Sequence, residues 1–213
     1  MIVMQPVLEL TSSDGFDLWP VAATAPYGWF ALSGNLTPAE VGTAVWCIAD
    51  YSDDPEDTAR PADPLDGFLH GLLTVDLPIV AGGLRVVDES TGTTFVPGCC
   101  DGLEDWREWR QLLSPGGLIA YGHPPVSPLA ERIGDTILLT ADTEQADSPT
   151  LELTDADLAR MLAEVEGDLT DFLALVVAWA PQHLPGREAA VTAAIAQALD
   201  LPPPYWGHAP DHR

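Results

Sequence analysis

The chain has 213 residues and a mass of 22.7 kDa, with 46% hydrophobic residues, and it sets 33 acids against eight arginines and no lysine, for a net charge of −25. That length and apolar fraction suit one globular domain over residues 1–213 and disfavour a disordered or fibrous chain. Without lysine there is no Walker-type phosphate loop, kinase lysine, pyridoxal Schiff base or Ser-x-x-Lys acylating site, and scattered arginines at this charge supply no basic stripe for nucleic acid or an anionic membrane.

In chain order, Ile2–Leu10 reads as a first strand, with Pro6 placing it at an edge or on a bulge. Trp19–Ala23 and Trp29–Leu32 are further strand candidates around the turn signal at Ala25–Gly28. Thr37-Pro38-Ala39-Glu40 is a capping box with proline at the first helical position, and Val41, Ala44, Val45 and Ile48 continue a helix to about Ala49. Asp50–Asp66 interleaves acids with prolines and reads as a solvated, mobile loop. Leu84–Asp88 and Thr93–Val96 flank Glu89–Gly92 as a β-hairpin.

Asp101 is a candidate N-cap for a short helix, Leu103–Leu113, on which α-helical spacing groups Leu103, Trp106, Arg110 and Leu113 and leaves Trp109 at the margin, partly exposed. Leu118–Gly122 and Asp135–Thr140 are strand candidates around a proline-rich loop, and Thr150–Leu153 is a short strand. Leu158, Met161, Leu162, Val165, Leu169, Phe172, Leu173 and Val176 then form one apolar stripe that keeps its phase across Gly167. This predicts a single long helix from Asp155 to about Ala180, stopped by Pro181. A last helix, about Gly186–Leu199, precedes a tail over residues 202–213.

The N-terminus lacks a basic region and a cleavage site, so no secretory signal is expected. The longest apolar run, Phe172–Ala180, is too short for a hydrocarbon core that needs about 20 residues. Three cysteines give no disulfide framework, and a reduced, cytoplasmic setting follows.

Cys99 and Cys100 ahead of a helix are the most chemically suggestive pair, since a helix N-terminus favours thiolate, and His123 or His70 is a conceivable base. Asp101, Glu104 and Asp105 oppose that thiolate, and small buried structural cysteines are the commoner case. His208, Asp211 and His212 have metal-like spacing in a tail that reads as frayed. Asp50, Ser52 and Asp54 mimic the start of a calcium loop, but Pro55 stands where the turn needs glycine, so no metal is expected. Trp19, Trp29, Trp46 and Trp179 read as core anchors.

Asp135–Asp171 holds eleven acids and one arginine, and Asp157, Glu164, Asp168 and Asp171 form a stripe beside the apolar face of the long helix. High-salt habitat or GC-rich codons would explain such a charge without function; a basic partner would explain it through electrostatic steering. The sequence therefore predicts an α+β fold. It has a mostly antiparallel sheet from the N-terminal two-thirds and two C-terminal helices packed on it. It predicts a non-catalytic acidic binding protein, of bacterial immunity or antitoxin type, that masks a basic protein. The contact residues would be Asp105, Glu108, Trp109, Asp157, Glu164, Asp168 and Asp171, with no cofactor. The alternative is a small hydrolase using Cys99, Cys100 and His123, or a carboxylate pair.

Overall fold

The computed structural model describes residues 1–204 apart from residues 55, 100, 121 and 123. Two four-stranded antiparallel sheets carry the fold, so the predicted α+β class holds and the predicted sheet is divided in two. The first sheet has β1 (Ile2–Glu9), β2 (Trp29–Ala31), β3 (Gly82–Asp88) and β4 (Thr94–Phe95), in the order β2-β1-β3-β4. The second is a meander of β5 (Leu118–Ala120), β6 (Leu129–Ile133), β7 (Thr136–Thr140) and β8 (Thr150–Leu153). Strict alternation along β7 and β8 turns Ile137, Leu139, Leu151 and Leu153 inward, the pattern of a sheet with one wet face.

β1 is an inner strand, which corrects the edge placement expected from Pro6. It pairs with β3 from Ile2↔Asp88 to Leu8↔Gly82, but with β2 only from Val7 to Glu9. The Pro6 carbonyl accepts from the Leu32 amide at 2.9 Å. Since N–H and C=O of one residue point to the same neighbour, the missing N–H faces the last rung of the β1–β2 ladder, where its loss disrupts little. At the end of the β1–β3 ladder, Gly82 has φ +152°, and a Cβ there would lie 2.1 Å from the Val7 carbonyl oxygen. Only glycine lets the two backbones approach so closely.

Helix α1 (Pro38–Tyr51) starts on the predicted capping box, with Thr37 and Glu40 bonded reciprocally. The expected strand at Trp19–Ala23 does not form, because its polar groups are drawn to α1. Trp19 Nε1 donates to the Gly42 carbonyl, and the Ala22 amide donates to Thr43 Oγ1 and the Ala39 carbonyl. An unexpected helix α2 (Pro64–Thr74) rises from the acidic loop, capped by Asp63, whose carboxylate accepts from the Leu65 and Asp66 amides. The loop before it is pinned by Arg60–Asp53 at 2.6 Å and His70–Asp57 at 3.2 Å.

The predicted long helix is continuous: α3 spans Asp155–His183, and all eight residues of its apolar stripe are buried. Gly167 is exposed with open space around it. Pro181 does not stop the helix; it lies inside the last turn, and the Leu184 amide still reaches the Ala180 carbonyl at 2.8 Å. α4 (Glu188–Ala198) packs on α2 and α3. One contiguous apolar cluster runs from Met4 to Leu201, with contributions from both sheets and every helix. Among the described residues no helix is long and apolar enough to cross a membrane.

Candidate functional site

Between β4 and β5 the chain forms a 3₁₀ helix over Leu103–Leu113, far longer than the usual three or four residues. Its start is fastened by the Leu103 amide donating to the Val80 carbonyl (2.8 Å) and by Glu104 Oε2 accepting from the Val80 amide (2.8 Å). Trp106 Nε1 donates to the Leu199 carbonyl at 2.9 Å. Gly102, rather than the predicted Asp101, occupies the N-cap position, and no side chain caps it.

Three residues per turn divide the helix into three faces. Leu103, Trp106, Trp109 and Leu112 form the buried one. This overturns the expected partial exposure of Trp109, which is 3% accessible and meets Phe95 edge-on at 5.9 Å. The α-helical period of 3.6 had put Arg110 and Leu113 on the inner face; a period of three replaces them with Trp109 and Leu112. Trp109 is a core residue, so it offers no apolar anchor to a partner.

The second face holds Glu104, Arg107 and Arg110, and turns to α3. Arg107 pairs with Glu166 at 2.9 Å and Asp200 at 2.7 Å, and its guanidinium lies 4.1 Å from the centre of the Trp106 ring. Arg110 reaches Glu166 at 3.6 Å.

The third face carries the exposed Asp105 and Glu108, eclipsed one turn apart with about 6 Å of axial rise between them. Asp101 and Glu104 lie beside them. Burial pushes the Asp101 carboxyl up to about 7, helped by the charges of Asp105, Glu104 and Glu108. Burial also raises Glu104, against the Val80 hydrogen bond that lowers it. A cleft of about 330 Å³ opens here between Leu77, Pro78, Glu104, Asp105, Arg107, Glu108, Gln197 and Asp200.

The described arginines, Arg107 on the wall of this cleft included, form their hydrogen bonds and ion pairs with other partners. Arg60, Arg107, Arg110, Arg132, Arg160 and Arg187 pair with Asp53, Glu166, Asp200, Asp155, Asp157, Glu164 or Asp66, and Arg85 binds Gln5. None of these partners is Asp101, Asp105 or Glu108. The carboxylates of this face therefore repel one another, and no ion pair among the described residues offsets that repulsion directly.

The predicted contact residues do not form one surface. At about 100° per residue, Asp157, Glu164, Asp168 and Asp171 lie roughly 140–200° around α3 from Glu166, on the flank away from the 3₁₀ helix. Within that stripe Asp157 closes the capping box of α3 with Thr154, and those hydrogen bonds hold its carboxyl below the usual range. Glu164 accepts two bonds from Arg160 at 2.9 Å. Asp168 is half-buried, and desolvation followed by the charges of Asp171 and Glu164 pushes its carboxyl up.

Of the hydrolase candidates, Cys99 is exposed and backed by Gly122, where a Cβ would lie 3.2 Å from its sulfur. Cys100 and His123 lie outside the described residues, as do His208, Asp211 and His212. His70 is turned to Asp57. In the calcium-like run, Asp50 belongs to α1 and accepts from Thr11 Oγ1 at 3.4 Å. Among the described residues no group of three or more His, Cys, Asp or Glu is arranged to hold a metal ion.

The grouping of Asp105 with Glu108 and the burial of Trp109 were both readable from one signal, the spacing of three in Leu103, Trp106, Trp109 and Leu112. Asp101 carried no such signal, because its pKa depends on burial by residues distant in sequence. No protein-family model matches the chain, and no characterised protein or solved structure is significantly similar to it.

Proposed function

We propose that this chain is a non-catalytic binding protein of immunity or antitoxin type, and that it masks a basic site on a partner protein with the acidic face of its 3₁₀ helix. The observation that carries this reading is the clustering of Asp101, Glu104, Asp105 and Glu108 on one side of the 3₁₀ helix with no ion pair to any described arginine; burial, and after it the charges of the three neighbours, pushes the Asp101 carboxyl up to about 7. A guanidinium or ammonium from a partner would relieve that repulsion, so the repulsion present in the free chain becomes binding free energy in the complex. The surrounding charge of −25 would steer the encounter. Masking a basic site needs no catalytic group on this chain.

The test is association kinetics with a basic protein that co-purifies with this chain from its host, between about 50 and 500 mM salt. The association rate should fall steeply with salt, and Asp105→Asn with Glu108→Gln should lower it about tenfold at low salt. A rate that ignores both salt and the double substitution would overturn the reading.

A further inference from the structure

On the opposite flank of α3 lies a groove unlike the acidic cleft. It encloses about 290 Å³ and is lined by Leu36, Pro38 and Val41 from the start of α1 and by Leu175, Ala178, Trp179, Gln182 and His183 from the end of α3. Trp179 forms part of its floor, stacked on His183 at 4.5 Å and edge-on to Trp19 at 5.7 Å. Trp179 is 6% accessible, and its indole N–H finds no acceptor among the described residues. A buried donor left in this state is unfavourable, and no hydrogen bond clamps the ring against a small rotation.

One end of the groove is acidic. Asp171 lies one turn before Leu175 on α3, with Asp168 a further turn back. The turn after β2 is pressed onto this point: a Cβ on Gly34 would lie 2.8 Å from Asp171 Cβ, and Leu36, two residues later, already lines the groove. Asp168 and Asp171 have no cation partner among the described residues, and their mutual repulsion contributes to the upward shift at Asp168. Apolar floor and uncompensated carboxylates thus run on continuously along one helix flank. From Asp168 to Gln182 that flank measures about 21 Å, the length of roughly four helical turns.

We infer that this groove is a docking site for a basic amphipathic helix of a partner protein. Apolar side chains at i, i+3 and i+4 spacing lie over Leu36, Leu175 and Trp179, and an arginine or lysine about two turns away reaches Asp168 and Asp171. Charge complementarity selects this occupant: an acidic or neutral helix would leave the two carboxylates uncompensated. The site stands apart from the acidic face proposed above, and either can fail without the other.

The experiment titrates the full chain with two fluorescein-labelled synthetic peptides of about 18 residues, one a leucine–arginine amphipathic helix and the other the same composition with its leucines scattered around the helix. Fluorescence anisotropy should show the amphipathic peptide binding at least about tenfold more tightly. Ala178→Arg, on the exposed lip, should weaken it about tenfold or more, and Asp168→Asn with Asp171→Asn should weaken it at low salt. Ala178→Gln serves as a second block should the arginine variant misfold. The substitutions Asp105→Asn and Glu108→Gln should leave this peptide unaffected. Equal binding of the two peptides, or binding that ignores both Ala178 variants, would sink the inference. Peptide binding that tracks Asp105 and Glu108 instead would also sink it, while leaving the proposed function standing.

Discussion

Replacing Asp101 by asparagine removes one titrating group from the acidic face and keeps its shape. In the folded chain its carboxyl is pushed up to about 7, chiefly by burial and then by Asp105, Glu104 and Glu108; in the unfolded chain it returns to about 3.9. Between those values the native state keeps a proton that the unfolded state has released, so stability falls as pH rises through this window. Three pKa units correspond to about 4 kcal/mol when the whole shift is expressed above pH 7. Asp101 is only partly withdrawn from water, and solvent screening reduces this to about 2 kcal/mol. Asp101→Asn should therefore stabilise the protein by about 2 kcal/mol at pH 8, or roughly 4–8 °C in Tm for a chain of this size, and by almost nothing at pH 4. Urea unfolding of both proteins at the two pH values, taken as a difference, cancels the groups shifted the other way, such as Asp66, Asp142 and Asp155. A gain of equal size at both pH values, or a loss at pH 8, would refute the reasoning.

The burial of Trp109 makes Trp109→Ala a stability mutation, expected to cost about 3–5 kcal/mol in urea unfolding; a folded variant with unchanged stability and faster partner release would restore it as a surface anchor. Gly167, exposed within the continuous helix α3 with nothing near its Cβ position, should yield about 0.5–1 kcal/mol of stabilisation on replacement by alanine; a loss in thermal melting would reveal a bend at that point.

How far the fold could be read in advance depended on whether local periodicity matched the final geometry. Helix α3 was legible because its stripe follows 3.6 residues per turn from Leu158 to Val176, and because Thr154 and Asp157 announce its start. The capping box at Thr37 and the β3–β4 hairpin were legible for the same local reasons. Helix α2 was hidden because its N-cap, Asp63, sits among acids and prolines that together look like solvated loop. β6 was missed because Arg132 interrupts its pattern, a residue whose guanidinium bridges the Leu112 carbonyl and Asp155. The division into two sheets depends on pairings between distant segments, which composition does not reveal. At the candidate site, the acids of the 3₁₀ helix were recognisable as residues, but their separation from the α3 stripe required knowing that Glu166 faces Arg107 and Arg110.

The pairing of β1 with α3 has a consequence for synthesis. β1 is made before the helix that covers it, Asp155–His183, which follows about 150 residues later. At translation rates of roughly 5–20 residues per second, Met4 and Leu8 on β1 wait about 8–30 s for the helix that completes their cover. During that interval the first sheet can form its ladder with β3 while its apolar side stays open to water, and to neighbouring nascent chains. The segments made in that interval, Asp50–Asp66 among them, carry an excess of negative charge, and like charge opposes contact between such chains. Like charge thus opposes association over the interval in which the N-terminal sheet waits for α3.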